Sequence, residues 1–538
     1  MGSVCTSYRS RNLDTKAKFG LLSAVLVILS LILGLAACGG GANSPKAVTA
    51  ISIAPDTATI PAGTFQLFSA TVTGNSNTAV VWSVNGVEGG NAQSGTITSS
   101  GLYTAPASVT SQAITVTATA AASSSVTASA TVTISSPSSV ASTLFGLNLH
   151  PEVLSGQISW PSFSFGSIRL WNSKTSWADL EPSNGGFDWS QLDGWLALGG
   201  SKGVTSFIYT FGKGTPQWAS SNPNDTSCTK TDTNPTPGQC DPPSDVDTGD
   251  GMFKSFVTAL VQHAAGKIAA YECINEPNLA SGWTGTMAQT LTMCTDMYNI
   301  VKANDPNALV TTPAPVDFNT QTAGNWMSPY LQMGGGKIAD VIAFHGYGSS
   351  SLAQDPEEIV SILQGVATSI GTGAAVSSKP LWDTEMSWDQ DSYLSDPDMQ
   401  AAFVARVYLL QWSHGVSRFY WFQYGSGDIG SLTTGSGQAN PAGNAYGVVY
   451  NWMLGATLTQ ACTATGSVWT CTFKPLGGGQ SEAVWDASQT CSNGTCTTSS
   501  FTPSSVYNQY VDLTGTAHPF NPGSAIEIGA KPILLQTQ

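Results

Sequence analysis

From about residue 47 to 134, Val, Ile and Thr alternate with polar residues, in AVTAISIA, FQLFSATVTG, VVWSVNG, AITVTATA and SATVTI. Successive side chains of a strand face opposite ways, so each run presents one apolar face. Turn residues separate the runs, and short strands at this spacing predict an all-β sandwich with Trp82 in its core. SSPSS (Ser135–Ser139) reads as a linker, here taken as 135–142, and beyond it the pattern changes. Apolar runs of strand length now alternate with longer segments of helical period. The strand candidates are LFGLNLH, SIRLW, VTSFIYTF, IAAYECIN, ALVTT, DVIAFHGY, KPLWDTE and RFYWFQY. Between them lie amphipathic segments such as MFKSFVTALVQHAAG and PEEIVSILQGVATSI. Strand–helix alternation predicts a parallel sheet, and eight such units over 143–455 predict a (β/α)8 TIM barrel. A doubly wound sheet would carry a glycine-rich phosphate turn after its first strand, and none is present. From about 456 the helical period stops, and TCTFKP, SEAVWDAS, QYVDLTG, SAIEIG and KPILLQ predict a C-terminal β-sandwich over 456–538.

The chain has 538 residues, more than one core holds, in keeping with this multidomain α/β reading. Its N-terminal segment has a different character. Arg9, Arg11, Lys16 and Lys18 precede an apolar run, Leu21 to Leu35, that ends in Leu35-Ala36-Ala37-Cys38. A basic region, an apolar region and small residues at a cleavage point form a secretory leader. Leu-Ala-Ala-Cys resembles a bacterial lipobox. That resemblance implies a signal peptide over 1–37, lipidation of Cys38, a tether at 38–46 and a place in the bacterial cell envelope, facing the periplasm or exterior. An uncleaved anchor helix is the rival. The order of VVWSVNG and SGTITSSGLYTAPA resembles bacterial Ig-like modules, for which a spacer role is expected.

With 19 basic and 34 acidic residues the formal charge is −15, which disfavours nucleic acid as a partner and is compatible with a neutral one. Setting aside Cys5 and Cys38 leaves eight cysteines, an even number suited to disulfides outside the cytoplasm. Cys228 with Cys240, Cys462 with Cys471 and Cys491 with Cys496 are close pairs, and Cys273 and Cys294 remain as candidates for a fourth. Zinc is disfavoured by poor ligand spacing and only five histidines. No cofactor is expected.

Barrel enzymes carry their active sites at the C-terminal strand ends. Standing there are His150 after the first strand, Arg169 and Trp171 on the second, and Asn275 and Glu276 after the fourth. His345 and Tyr347 follow the sixth strand, Glu385 ends the seventh and Trp421 lies on the eighth. Two carboxylates across a barrel mouth, with an arginine, an amide, imidazoles and aromatic faces, suit glycosidic cleavage: one acid protonates the leaving oxygen while one carboxylate meets the anomeric carbon. Aromatic faces such as Trp171 and Trp421 would stack on a sugar. Arg169, on an apolar strand, requires an anionic partner, and Glu385 is expected to be one. Strand alternation puts Asp383 and Glu385 on one face, so spacing alone does not choose between them.

Asn275-Glu276-Pro277 and Thr384-Glu385 resemble the clan A glycoside hydrolases. YECINEPNL and FDWSQLD look most like family 39, with family 5 close behind. The resemblance implies Glu276 as acid/base and Glu385 as nucleophile of a retaining β-glycosidase. Arg169, Trp171, Asn275, His345, Tyr347, Trp421 and His150 would then bind a carbohydrate substrate. It also implies a carboxyl separation of roughly 5–5.5 Å. A non-catalytic, glycan-binding or adhesive surface lipoprotein with a degenerate barrel is the rival.

Overall fold

The computed structural model describes residues 47–537, apart from 49, 228–235, 317, 319–321, 349–352, 374, 375, 377, 426, 427 and 436. Cys38 with its leader, and Cys228, lie outside the described residues.

The middle of the chain closes into a parallel barrel. Its strands are β1 (Phe145–Leu149), β2 (Ser167–Leu170), β3 (Ser206–Thr210), β4 (Ala270–Glu272), β5 (Leu309–Thr311), β6 (Ile342–His345), β7 (Leu381–Met386) and β8 (Val416–Tyr424). They run in the order β5-β4-β3-β2-β1-β8-β7-β6, and a parallel bridge from Thr311 to Val341 joins the two ends. The main helices outside this ring are α1 (Ser190–Ser201), α2 (Gly251–Ala264), α3 (Met287–Asn304), α4 (Thr322–Gln332), α5 (Ile359–Gly371), α6 (Pro397–Ser413) and α7 (Pro441–Met453).

Local chemistry starts several of these helices. Thr286 and Gln289 exchange side-chain and backbone bonds as a capping box before α3, satisfying donors that would otherwise be orphaned. Asp396 and Asn440 cap α6 and α7, each followed by proline at the first helical position, where a missing N–H costs nothing. Helix α6 is buried from Met399 to Ser413. Within it Arg406 donates from Nε to the Ala530 carbonyl at 2.8 Å and pairs with Glu357 at 3.4 Å, so the barrel is bolted to the C-terminal module.

Both flanking modules are β-sandwiches. The N-terminal one packs Ile60, Phe68, Trp82, Val84, Tyr103 and Val116 between its sheets. It leans on the barrel through Phe65, whose ring stacks on His414 at 5.4 Å. The C-terminal one is a six-stranded sheet, with the last strand (Ile533–Gln536) paired on both sides, to Ser481–Asp486 and Gln509–Val511. Cys273–Cys294, Cys462–Cys471 and Cys491–Cys496 are disulfides.

Candidate active site

Arg169 is the centre from which the site is built. It projects from β2 into the barrel and is fully buried, so each of its donors needs an acceptor. Nη1 donates to Glu385 Oε2 at 2.6 Å, and Nη2 donates to Asn275 Oδ1 at 2.6 Å. Glu272 Oε1 accepts from Nη2 at 2.5 Å and from Nε at 3.2 Å. Asn148 of β1 accepts at 3.4 Å. One planar fork thus ties β1, β2, β4 and β7, which a lysine point charge could not do.

The chain after β4 is fixed as tightly. The Asn275 N–H donates to the Phe211 carbonyl at 2.9 Å, and the Glu276 N–H donates to the Ala314 carbonyl at 3.0 Å. The Cys273–Cys294 disulfide ties the same segment to α3. Glu276 has φ of 44°, a left-handed conformation that a side chain with a Cβ adopts only under constraint, at about 1–3 kcal/mol. Its carboxylate Oε1 lies 2.9 Å from His345 Nδ1, while His345 Nε2 lies 3.4 Å from Arg169 Nη2. An Nδ1–H on His345 donates to the Glu276 carboxylate, a bond that the imidazolium and the Nδ1-protonated neutral ring both make. Tyr347 donates to Glu385 Oε1 at 3.4 Å.

Glu276, His345 and Glu385 each place one ligand-type atom within 4.8 Å of the others. Among the described residues this is the single such group that could hold a metal ion. The Arg169 guanidinium, already bonded to Glu385 and next to His345, supplies the positive charge there, so the trio reads as an acid pair and not as a metal centre.

The charges explain the titration. Burial pushes the Glu385 carboxyl above its ordinary value and Glu276 adds to the push, against His345 and Arg169. Burial alone would lower His345, but the charges of Glu385 and Glu276 raise it. Tyr347 is raised well above the usual phenol range by burial and by the same carboxylates.

The mouth opens beside this set into a cleft of about 590 Å³, lined among others by His150, Trp171, Lys174, Thr210 and Gln423. Trp171 is half-buried, with Arg169 over its ring at 5.6 Å from the centroid. His150 is half-buried and pairs with Glu152. Gln423 Oε1 and Thr210 Oγ1 are buried without a protein partner, as suits groups lining a polar-ligand site.

Arg169, Asn275, Glu276, His345, Tyr347 and Glu385 therefore meet at one point, with Trp171 and His150 at its edge. Trp421 does not join them, and the expectation of an open stacking face there is corrected. Its ring is fully buried against Trp388 and Phe403, and its N–H donates to the Gly430 carbonyl at 2.7 Å. Glu272 and Asn148 were missed. Glu272 had a signal: an acid inside the apolar run AAYECI, which burial would force into an ion pair. Asp383 and Glu385 part company, because the β7–β8 register shifts between Asp383 and Met386. Glu385 reaches the mouth, whereas Asp383 reaches Gln411 on α6 at 2.8 Å.

A family model described as Glycosyl hydrolase catalytic core matches residues 247–446, which include both carboxylates. That match runs from β4 to β8 of the barrel. A Beta-galactosidase family model matches residues 168–258. The chain resembles in fold a family 39 glycoside hydrolase from Bacteroides cellulosilyticus WH2, at 16% identity and TM-score 0.53, covering 91% of this chain and 100% of that one. A GH39 beta-xylosidase from Caulobacter crescentus shares 15% identity at TM-score 0.51, covering 75% of this chain and 98% of that one. No curated protein shows significant sequence similarity to the chain.

Proposed function

We propose that the protein is a retaining β-glycosidase acting by double displacement on an extracellular oligo- or polysaccharide. The observation that carries the mechanism is that oxygens of Glu276 and Glu385 lie within 4.8 Å of each other. Retaining pairs stand about 5–5.5 Å apart, whereas inverting pairs leave roughly 6.5–9.5 Å for a water.

The surroundings support the division of roles. Glu385 is held by Arg169 and Tyr347, and a guanidinium contact favours the ionised form a nucleophile needs. Glu276 is the more open of the two, 20% exposed against 8% for the Glu385 side chain, so it can reach a leaving group and then water. In the first step a Glu385 oxygen bonds to the anomeric carbon as the glycosidic C–O bond breaks, and Glu276 gives its proton to the departing oxygen. In the second, Glu276 takes a proton from water, the water oxygen bonds to the anomeric carbon, and Glu385 leaves. His345, donating to Glu276, holds that carboxyl in place through both proton transfers. Trp171 and the cleft beyond it are the sugar platform.

The test is hydrolysis of a panel of aryl β-glycosides, β-xyloside and β-glucoside first, with the configuration of the first product read by NMR. A β-configured product is expected. Glu385→Gln should lose turnover on every substrate. Glu276→Gln should lose about 10²–10⁴-fold on sugars with poor leaving groups and less on activated aryl glycosides, which need less protonation. An α product, or near-normal turnover in either variant, would refute the assignment.

A further inference from the structure

The Asp383 carboxyl is fully buried and takes no part in the steps above, yet it is among the most heavily bonded acids of the barrel. Strands β6 and β7 pair regularly up to Phe344 and Asp383. The register then shifts, so that His345 lies opposite Glu385, and β7 also slips against β8 between Asp383 and Met386. A break of this kind re-aims a side chain but leaves ladder N–H groups without strand partners. Asp383 Oδ1 accepts two of them, from Gly346 at 3.0 Å and from Glu385 itself at 3.3 Å. Oδ2 accepts from Gln411 Nε2 at 2.8 Å.

The neighbours are fitted to this arrangement. A Cβ on Gly346 would overlap Asp383 Oδ2, so the glycine is what lets the carboxyl reach across to β6. Burial pushes the Asp383 carboxyl up to about 8, against His345 and the accepted N–H bonds. In the protonated form it has a hydrogen to donate, and Gln411 Oε1 is a buried oxygen without a partner. An amide flip of Gln411 would supply the acceptor.

We propose that Asp383 is a positioning residue: its carboxyl clamps the irregular ends of β6 and β7 together and so aims Glu385 at the anomeric carbon and His345 at Glu276. The proposal rests on the glycosidase reading for its kinetic consequences but not for its structural ones. Asparagine keeps an oxygen for the two N–H groups and an N–H for Gln411, so Asp383→Asn is expected to keep kcat within about threefold. Asp383→Ala removes the clamp. A misplacement of about 1 Å costs on the order of 10²-fold in rate, so kcat should fall roughly 30- to 100-fold with KM within threefold.

Gly346→Ala, which keeps the acid but pushes it away, should lower kcat in the same way and decides the matter if Asp383→Ala does not fold. Amide hydrogen exchange gives a readout that needs no turnover: peptides covering 344–348 and 383–387 should exchange faster in Asp383→Ala and not in Asp383→Asn. Wild-type activity on no glycoside would remove the glycosidase reading and leave the exchange result to judge the clamp. Folded Asp383→Ala or Gly346→Ala with wild-type kcat and unchanged exchange would overturn the clamp. Asp383→Asn as inactive as Glu385→Gln would also overturn it, making Asp383 a reacting carboxylate instead.

Discussion

Arg169→Met should unfold the barrel more easily, and by an amount that depends on pH. In the native protein the guanidinium is the shared partner of Glu272 and Glu385, with Arg169 and Glu272 fully buried. Replacing it with a thioether of similar length leaves packing nearly intact and two carboxylates without their cation. Breaking a buried pair by removing one partner costs about 3–5 kcal/mol, and the residual charge can be relieved only by protonation. At about 2–4 °C per kcal/mol for domains of 150–250 residues, and less for a larger barrel, the melting temperature at pH 7.5 should drop by roughly 6–10 °C. Without the guanidinium the Glu385 carboxyl, which burial already holds above its ordinary value, rises further. The folded variant then binds protons that the unfolded chain gives up, so its deficit grows as pH rises from about 4.5 and shrinks in mild acid. Calorimetric melting at pH 5.0 and 7.5 measures this directly. Glu272→Gln in the same background removes one orphaned charge and should recover part of the loss, a non-additivity expected of groups in contact. A drop below 2 °C at pH 7.5, or one that is equal at both pH values, would refute the account of Arg169 as a shared counter-ion.

Asp250, at the start of α2, is buried beside two further acids, and burial, with Asp296 and Asp245 adding, pushes it up to about 8. Its folded value exceeds the unfolded one, so stability is lost as pH rises from about 4 to about 8, by about 5 kcal/mol at most and about half that after solvent screening. Asp250→Asn, which tolerates the same left-handed backbone, should raise the melting temperature at pH 8 and leave it unchanged at pH 4.5; a gain equal at both values would contradict this. For the proposed anchor, Cys38→Ser should move the protein from the membrane to the soluble fraction of the producing cells, and unchanged fractionation would count against lipidation.

The barrel was legible because its cause is periodic: strand-length apolar runs alternating with helical segments leave few other ways to bury both. The strand-end carboxylates, Arg169 and His345 were legible for a related reason, since polar groups that close an apolar run must have either solvent or a partner, and a barrel mouth supplies both. What escaped was set by irregularity. Trp421 reads as a strand-end aromatic, but β8 runs on to Tyr424 and Gly430 folds back over the indole, so the ring belongs to the core. Asp383 and Glu385 are two residues apart and would share a face in an even ladder; the slipped register separates them, and no pattern of types along β7 announces the slip.

Glu272 shows most plainly where a one-dimensional reading stops. A buried arginine demands an anion, and Glu385 alone satisfied that demand on paper. Yet the guanidinium carries five N–H donors, and a single carboxylate that also has to react cannot hold such a fork in one orientation. A second, fully buried acid does so: Glu272 takes Nε and Nη2, which leaves Nη1 for Glu385 and fixes the direction from which it approaches. In the proposed double displacement Glu385 changes from anion to ester while Arg169 stays where it is, because other bonds hold the cation, those to Glu272.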